Sequence, residues 1–325
     1  MSRFTRTILI AVLFVVPLIA RPADPPVYQV VGTLPNIMDG QPLQTLVFDR
    51  EARRLYAGSD YGLYWADLSA TQPQMQGPII RKHIEKIDVA PDLGRVFYAA
   101  VDEIGYVDEK GGPPVKISAG NAWDLVYEPT QHEVYVSFSR TADVLVFDAR
   151  TGALRATVAL PGWNASELEM VPGKVFFLVG GKEGIYAIDA KTHQAAAWPV
   201  TGSILTPGTL EADPGGRYLF LARNQEIDAI DVATATVTGR VTMFGTAAIG
   251  FDPGTGLLLA IWADPTADDR RHLVALRPDA IGLTQVQDLK YPDIGRIGVE
   301  PTNHGFIQAG NLGFVVWSSD RAPVK

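Results

Sequence analysis

The sequence predicts an all-β fold, a seven-bladed β-propeller with four-stranded blades, on three observations. A short apolar strand runs into an acid-proline or similar turn seven times. The turns stand about 40 residues apart, and the runs between them are β-branched and aromatic. The clearest copies are Leu125–Pro129, Leu210–Pro214, Ile249–Pro253 and Ile297–Pro301. Pro91 and Pro172 hold the same place in looser copies, and Arg50 replaces the proline in the first. From Arg50 the successive spacings are 41, 38, 43, 42, 39 and 48 residues.

Each repeat continues in the same order. A second apolar run follows the turn, as in Leu55-Tyr56-Ala57, Val96-Phe97-Tyr98, Val134-Tyr135-Val136 and Tyr218-Leu219-Phe220-Leu221. A polar loop leads to a third run that usually ends in aspartate: Asp67, Asp108, Asp148, Asp189 and Asp231. Runs of three to five such residues between Gly, Pro, Asp and Asn are strands, because branched side chains fit a pleated surface. The closing aspartates read as turn formers whose carboxylates accept backbone N–H bonds. The mature chain sustains no 3.6-residue apolar period, so no helix is expected.

The last repeat offers Ile297–Val299, Phe306–Gln308 and Phe314–Trp317, then ends without a fourth strand. The run Val27–Gly32 precedes the first repeat. That N-terminal strand is expected to complete the last blade and close the ring. Residues 1–23 read as a signal peptide and 24–325 as a single propeller domain. Arg3 and Arg6 precede a short apolar run, Ile8–Val16, with cleavage expected at Ala20 or Ala23. A periplasmic or secreted location follows, with no membrane span after cleavage, and a monomer is expected.

The chain has no cysteine, so stability rests on the core. Its formal net charge is −8, and cleavage after Ala23 would remove Arg3, Arg6 and Arg21, leaving about −11. Such an acidic protein is a poor partner for nucleic acid or anionic lipid.

The pattern Val134-Tyr135-Val136-Ser137, Asp143–Asp148, Thr151 and Val158 resembles the YVTN repeat of secreted seven-bladed propellers, the YncE-like family. Tyr218–Leu221, Ile227–Asp231, Thr234 and Val237 form a second copy. The asparagine that follows Tyr-Val in that family is mostly missing here. The resemblance implies an exported propeller at the periplasm or cell surface, and implies location and architecture more than activity.

In a propeller the first strand of each blade lines the central channel, and alternation then selects its inward residues. These are Thr45/Val47, Lys86/Asp88, Asp124/Val126, Glu167/Glu169, Thr209/Glu211, Ala248/Gly250 and Arg296/Gly298. Two readings stand: a water-filled channel with solvated charges, or a hard-cation site, Ca²⁺ by preference, with Asp88, Glu169 and Glu211 as ligands. Trp123 and Trp163, beside Asn121 and Asn164, would make either a stacking platform for a sugar or peptide, or caps on the wedges between blades. With Asp124, Glu167, Lys86 and Arg296, Trp123 and Asn164 form the candidate ligand-binding rim. A mixed-charge insertion, Asp264–Arg271, would overhang the same face.

The five histidines do not converge. His132, His193 and His304 map to the face opposite the channel mouth, His83 and His272 to the mouth face in separate blades, and each reads as a surface residue. The catalytic, phosphate-binding and haem motifs are missing. Three classes remain. The first is a non-catalytic binding or scaffold propeller that recognises a protein, peptide or glycan on its channel-mouth face. The second is a metal-dependent hydrolase or lyase resembling lactonase-type propellers, and the third an accessory factor of a redox system. Enzymatic activity is left open, with the balance against it.

Overall fold

The computed structural model describes residues 28–34, 43–48, 54–70, 73–109, 111–138, 140–162, 165–179, 184–200, 208–223, 225–246, 248–263, 271–279, 282–290, 296–300, 305–310 and 313–318. Among them all regular structure is β-strand. β1 (Gln29–Leu34) precedes six antiparallel sheets, each of four strands in chain order. Blade 1 contains β2 (Leu43–Phe48), β3 (Arg54–Ser59), β4 (Gly62–Asp67) and β5 (Met75–Ile80). Blade 2 contains β6 (Ile84–Ala90), β7 (Arg95–Ala100), β8 (Glu103–Asp108) and β9 (Val115–Ala119). Blade 3 is β10 (Ala122–Glu128), β11 (Glu133–Phe138), β12 (Asp143–Asp148) and β13 (Leu154–Ala159). Blade 4 is β14 (Ala165–Val171), β15 (Lys174–Val179), β16 (Ile185–Asp189) and β17 (Gln194–Ala197). Blade 5 has β18 (Thr209–Ala212), β19 (Tyr218–Ala222), β20 (Glu226–Asp231) and β21 (Thr236–Thr242). Blade 6 has β22 (Ala248–Asp252), β23 (Leu257–Ala263), β24 (Arg271–Asp279) and β25 (Gly282–Lys290). Three further strands, β26 (Arg296–Glu300), β27 (Gly305–Gly310) and β28 (Gly313–Ser318), form a sheet whose other edge is β1, paired antiparallel to β28.

The proline of the repeat stands just past β6, β10, β14, β18 and β22, where a residue without an N–H ends the ladder. The aspartates that close third strands act as the sequence suggests. Asp148 Oδ1 accepts the N–H groups of Arg150 and Thr151 at 2.9 and 2.7 Å, and Asp189 Oδ1 those of Lys191 and Thr192 at 3.1 and 2.8 Å.

The core lies between blades. Phe97, Leu125, Tyr127 and Val134 pack blade 2 on blade 3; Val126, Tyr135, Leu168 and Phe177 pack blade 3 on blade 4; Phe220, Phe251, Leu258 and Val274 pack blade 5 on blade 6. A second strand such as β11 is buried on both faces, which is why it reads as a continuous apolar run and not as an alternation. First strands neighbour one another in succession, β2 on β6, β6 on β10, β10 on β14, β14 on β18 and β18 on β22. They enclose the candidate site.

Candidate functional site

These six first strands line a cavity of about 640 Å³. Thr45, Val47, Lys86, Asp88, Asp124, Val126, Glu167, Glu169, Thr209, Glu211, Ala248 and Gly250 all line it, together with parts of the intervening Leu46, Ile87, Leu125, Leu168, Leu210 and Ile249. Arg296 opens β26, whose side chains lie outside the described residues. Gln44 and Glu85 also line the cavity, and alternation does not select them. The reason is a β-bulge near the start of four of the six strands, β2, β6, β10 and β14. Pairing with the second strand slips between Leu43 and Thr45, Ile84 and Lys86, Ala122 and Asp124, and Ser166 and Glu169. An extra residue re-aims its side chain, so Gln44 and Thr45, Glu85 and Lys86, and Trp123 and Asp124 reach the cavity as pairs. In β14 the bulge holds Glu167 at φ 53°, a left-handed conformation uncommon for a residue with a Cβ.

Three of the carboxylates tie neighbouring blades together. Asp88 accepts the N–H of Tyr127 at 2.7 Å, Asp124 that of Leu168 at 2.8 Å, and Glu211 that of Phe251 at 2.9 Å. Each bond runs from one first strand to the next and satisfies a main-chain donor that the ladder does not use. Glu169 shares the register of Asp88 and Glu211, three residues before the repeat's proline, yet among the described residues no hydrogen-bond donor reaches it. Lys86 Nζ lies 3.3 Å from Asp124 Oδ1.

Lys86, Asp88, Glu169 and Glu211 are surrounded by protein and half-buried, and Asp124 is buried. Burial pushes Asp88 up to about 6, against the pull of the Tyr127 and Val89 N–H groups and of Lys86. Glu211 is pushed up to about 7 by burial, with the Phe251 N–H and Lys86 opposing and Glu167 assisting. Burial and the charge of Glu211 hold Glu169 well above the usual carboxylate range. Burial works against the charge of Lys86, but Asp124, Glu169, Glu167 and Asp88 outweigh it and raise its affinity for a proton.

Trp123 stands at the mouth with 47 % of its surface exposed. Asn164, Trp163 and the insertion from 264 to 270 lie outside the described residues, as do His304 and residues 1–27. The remaining histidines stay dispersed, but the surface reading fails for His272. It is 6 % exposed, stacked on Trp262 and held at 3.0 Å by Asp288, because β24 carries it into the interior of blade 6. His132 meets the Tyr127 hydroxyl at 2.9 Å, and His193 meets Glu133 at 2.9 Å. His83 bridges Asp60 and Glu85 at 3.1 and 2.9 Å, a polar chain at the mouth that no local sequence pattern announces.

The arrangement has clear chemical limits. The described lining contains no histidine, serine or tyrosine, and the chain has no cysteine; its polar side chains are the carboxylates, Lys86, Gln44, Thr45, Thr209 and the Trp123 indole. Among the described residues no three His, Asp or Glu side chains gather closely enough to hold one metal ion. What the bore offers is negative charge and carboxylates able to exchange protons near neutral pH.

No known family profile matches the sequence, and no curated protein matches it. Solved structures do. A chain of the crystal structure of the mitotic checkpoint complex superposes with a TM-score of 0.65 at 12 % identity, over 98 % of each chain. The fold is a β-propeller. The WD40 β-propeller domain of Doa1 gives 0.68 at 14 % identity, over 92 % of this chain and 99 % of that one. At these identities the likeness concerns the fold alone.

Proposed function

We propose that the chain is a closed seven-bladed propeller of YVTN-like, exported type. In this reading it acts as a monomeric, non-catalytic binding or scaffold protein that recognises a protein or peptide through its channel-mouth face. Closure is supported by the pairing of β1 with β28 and by the position of β26 between β22 and β2. Export rests on the character of residues 1–23, and its test is the N-terminus of the mature protein. A start near Arg21 or Asp24 is expected; intact Met1 in a cytoplasmic fraction would overturn it.

One observation carries the binding reading: the channel-mouth face exposes large apolar side chains in adjoining blades. Tyr61 (58 % exposed) sits in the β3–β4 turn, Val101 (47 %) in the β7–β8 turn, and Trp123 where β10 begins. Antiparallel connection puts these turns and the start of every first strand at the same end of the blades. Val115 and Leu154 are exposed at the other end, where β9 and β13 begin. Tyr61, Val101 and Trp123, however, include both exposed rings among the described residues of blades 1 to 3, and an exposed aromatic and aliphatic group of this kind marks a contact surface more often than a catalytic one. The aliphatic Val101 suits a peptide better than a glycan. Asp88, Asp124 and Glu211 already have a structural use, which lessens the need for a metal to explain them.

A photo-crosslinking amino acid tests the reading. Placed at Tyr61 or Trp123 in the native host, it should trap a discrete protein adduct, and placed at Lys191 on the opposite face it should not. Equal trapping from both faces, or from neither, would overturn the assignment.

A further inference from the structure

The exposed rim is continuous from blade 1 to blade 3. Asp60, beside Tyr61, contacts His83 at 3.1 Å; the His83 carbonyl accepts the Val101 N–H at 3.3 Å; the Asp102 carbonyl accepts the Gly120 N–H at 3.3 Å, three residues before Trp123. Main-chain bonds and one side-chain contact thus connect the turns that present Tyr61, Val101 and Trp123, and this ridge ends on the lip of the cavity, which Trp123 itself lines.

Below that lip Glu85, Asp88, Asp124, Glu167, Glu169 and Glu211 line the bore, with Lys86 among them and Arg296 at the head of β26. Lys86 is engaged by Asp124, while Asp88 and Glu211 accept main-chain donors. We propose that the rim binds an extended peptide that lays apolar side chains over Tyr61, Val101 and Trp123 and lowers one lysine or arginine into the bore towards Glu169. The occupant follows from the two surfaces together: an apolar ridge selects apolar side chains, and an acidic bore at its end selects a cation on a long aliphatic stem. An arginine or lysine stem passing Trp123 also meets the ring face that favours cations.

This inference rests on the binding reading above and is tested separately from it. The mature protein is panned against a displayed library of random linear peptides. Selected sequences are then resynthesised and titrated by fluorescence anisotropy against wild type, Trp123→Ala, Tyr61→Ala and Glu169→Gln. Trp123 and Tyr61 are exposed and Glu169→Gln is isosteric, so all three variants should fold, as circular dichroism will check. Selected peptides should carry Lys or Arg close to aliphatic or aromatic residues. Trp123→Ala should weaken binding about tenfold or more. Replacing the peptide's basic residue by norleucine should weaken it similarly and remove the effect of Glu169→Gln, as a double-mutant cycle requires of interacting groups. If Trp123→Ala weakens binding while norleucine does not, the basic-residue inference falls and the channel-mouth reading stands. If binding ignores both Trp123→Ala and Tyr61→Ala, or no sequence is enriched over a bare surface, both fall.

Discussion

Glu211 illustrates how the bore acts on single residues. Burial pushes its carboxyl up to about 7, although the Phe251 N–H and Lys86 both favour the charged form. Asp88 is displaced in the same direction, to about 6. The folded protein therefore keeps protons that the unfolded chain releases near its ordinary values of 4.5 and 3.8. Stability should fall as pH rises from about 4.5 to about 7, because the native state binds more protons throughout that window. Glu211 is only half-buried, so solvent screens the effect, leaving on the order of 1–3 kcal/mol. Melting temperatures of wild type and Glu211→Gln between pH 5 and 8 will check this; the variant should show the flatter profile, and parallel profiles would refute it. Asp228 shows what a buried ion pair contributes. It is fully buried and paired with Arg223 and with Arg240, whose Nε stands 2.6 Å away. Asp228→Ala should cost about 3–5 kcal/mol, since it removes the buried carboxylate shared by Arg223 and Arg240 and leaves Arg223 only Glu226 as a counter-charge. A lower urea midpoint with an unchanged m-value is the expected signature. In the sequence Asp228 is only one more polar residue inside a third strand, because its partners come from the turn before β20 and from β21.

At the scale of elements, the strands and the inward residues of the first strands were legible because alternation and the acid-proline turn are local properties of the chain. The bulges were not, since an extra residue is defined only by the register of the strand opposite. Gln44 and Glu85 were missed for that reason, and so was the pairing of His83 with Asp60 and Glu85. The tethers from Asp88, Asp124 and Glu211 to the next blade were equally hidden, because each joins groups about 40 residues apart. A close approach between blades was hidden too. A Cβ on Gly239 in β21 would stand 2.5 Å from the main chain of Gly282 in β25. Gly239→Ala should therefore destabilise the protein by about 1–3 kcal/mol, measurable by urea denaturation. An unchanged midpoint would mean that blades 5 and 6 pack less closely than this.

For the whole molecule, the period near 40 residues was enough to read the architecture, whereas no sequence motif specifies a ligand. Tyr28 ties the start of the described chain to blade 6. Its hydroxyl donates to Asp252 at 2.6 Å, and its N–H meets Gln287 at 3.0 Å. Deleting residues 24–33 removes this buried ring, worth about 3–5 kcal/mol by comparison with other large core deletions, and most of β1 with it. A clearly lower melting temperature is expected, and an unchanged one would contradict ring closure by the N-terminal strand.

The central proposal is that the bore, besides tethering blades, receives part of a partner, and the alternative to it is a bound metal. A melting curve with added Ca²⁺, with a chelator, and with Glu169→Gln tests it most directly. A cation held by Asp88, Glu169 and Glu211 would bind only the folded state and raise its stability by about 2.7 kcal/mol at a hundredfold excess over Kd. The account predicts no shift beyond that of an equal ionic strength of NaCl, and the same indifference in Glu169→Gln. A rise of several degrees with Ca²⁺, reversed by the chelator and abolished by Glu169→Gln, would contradict it.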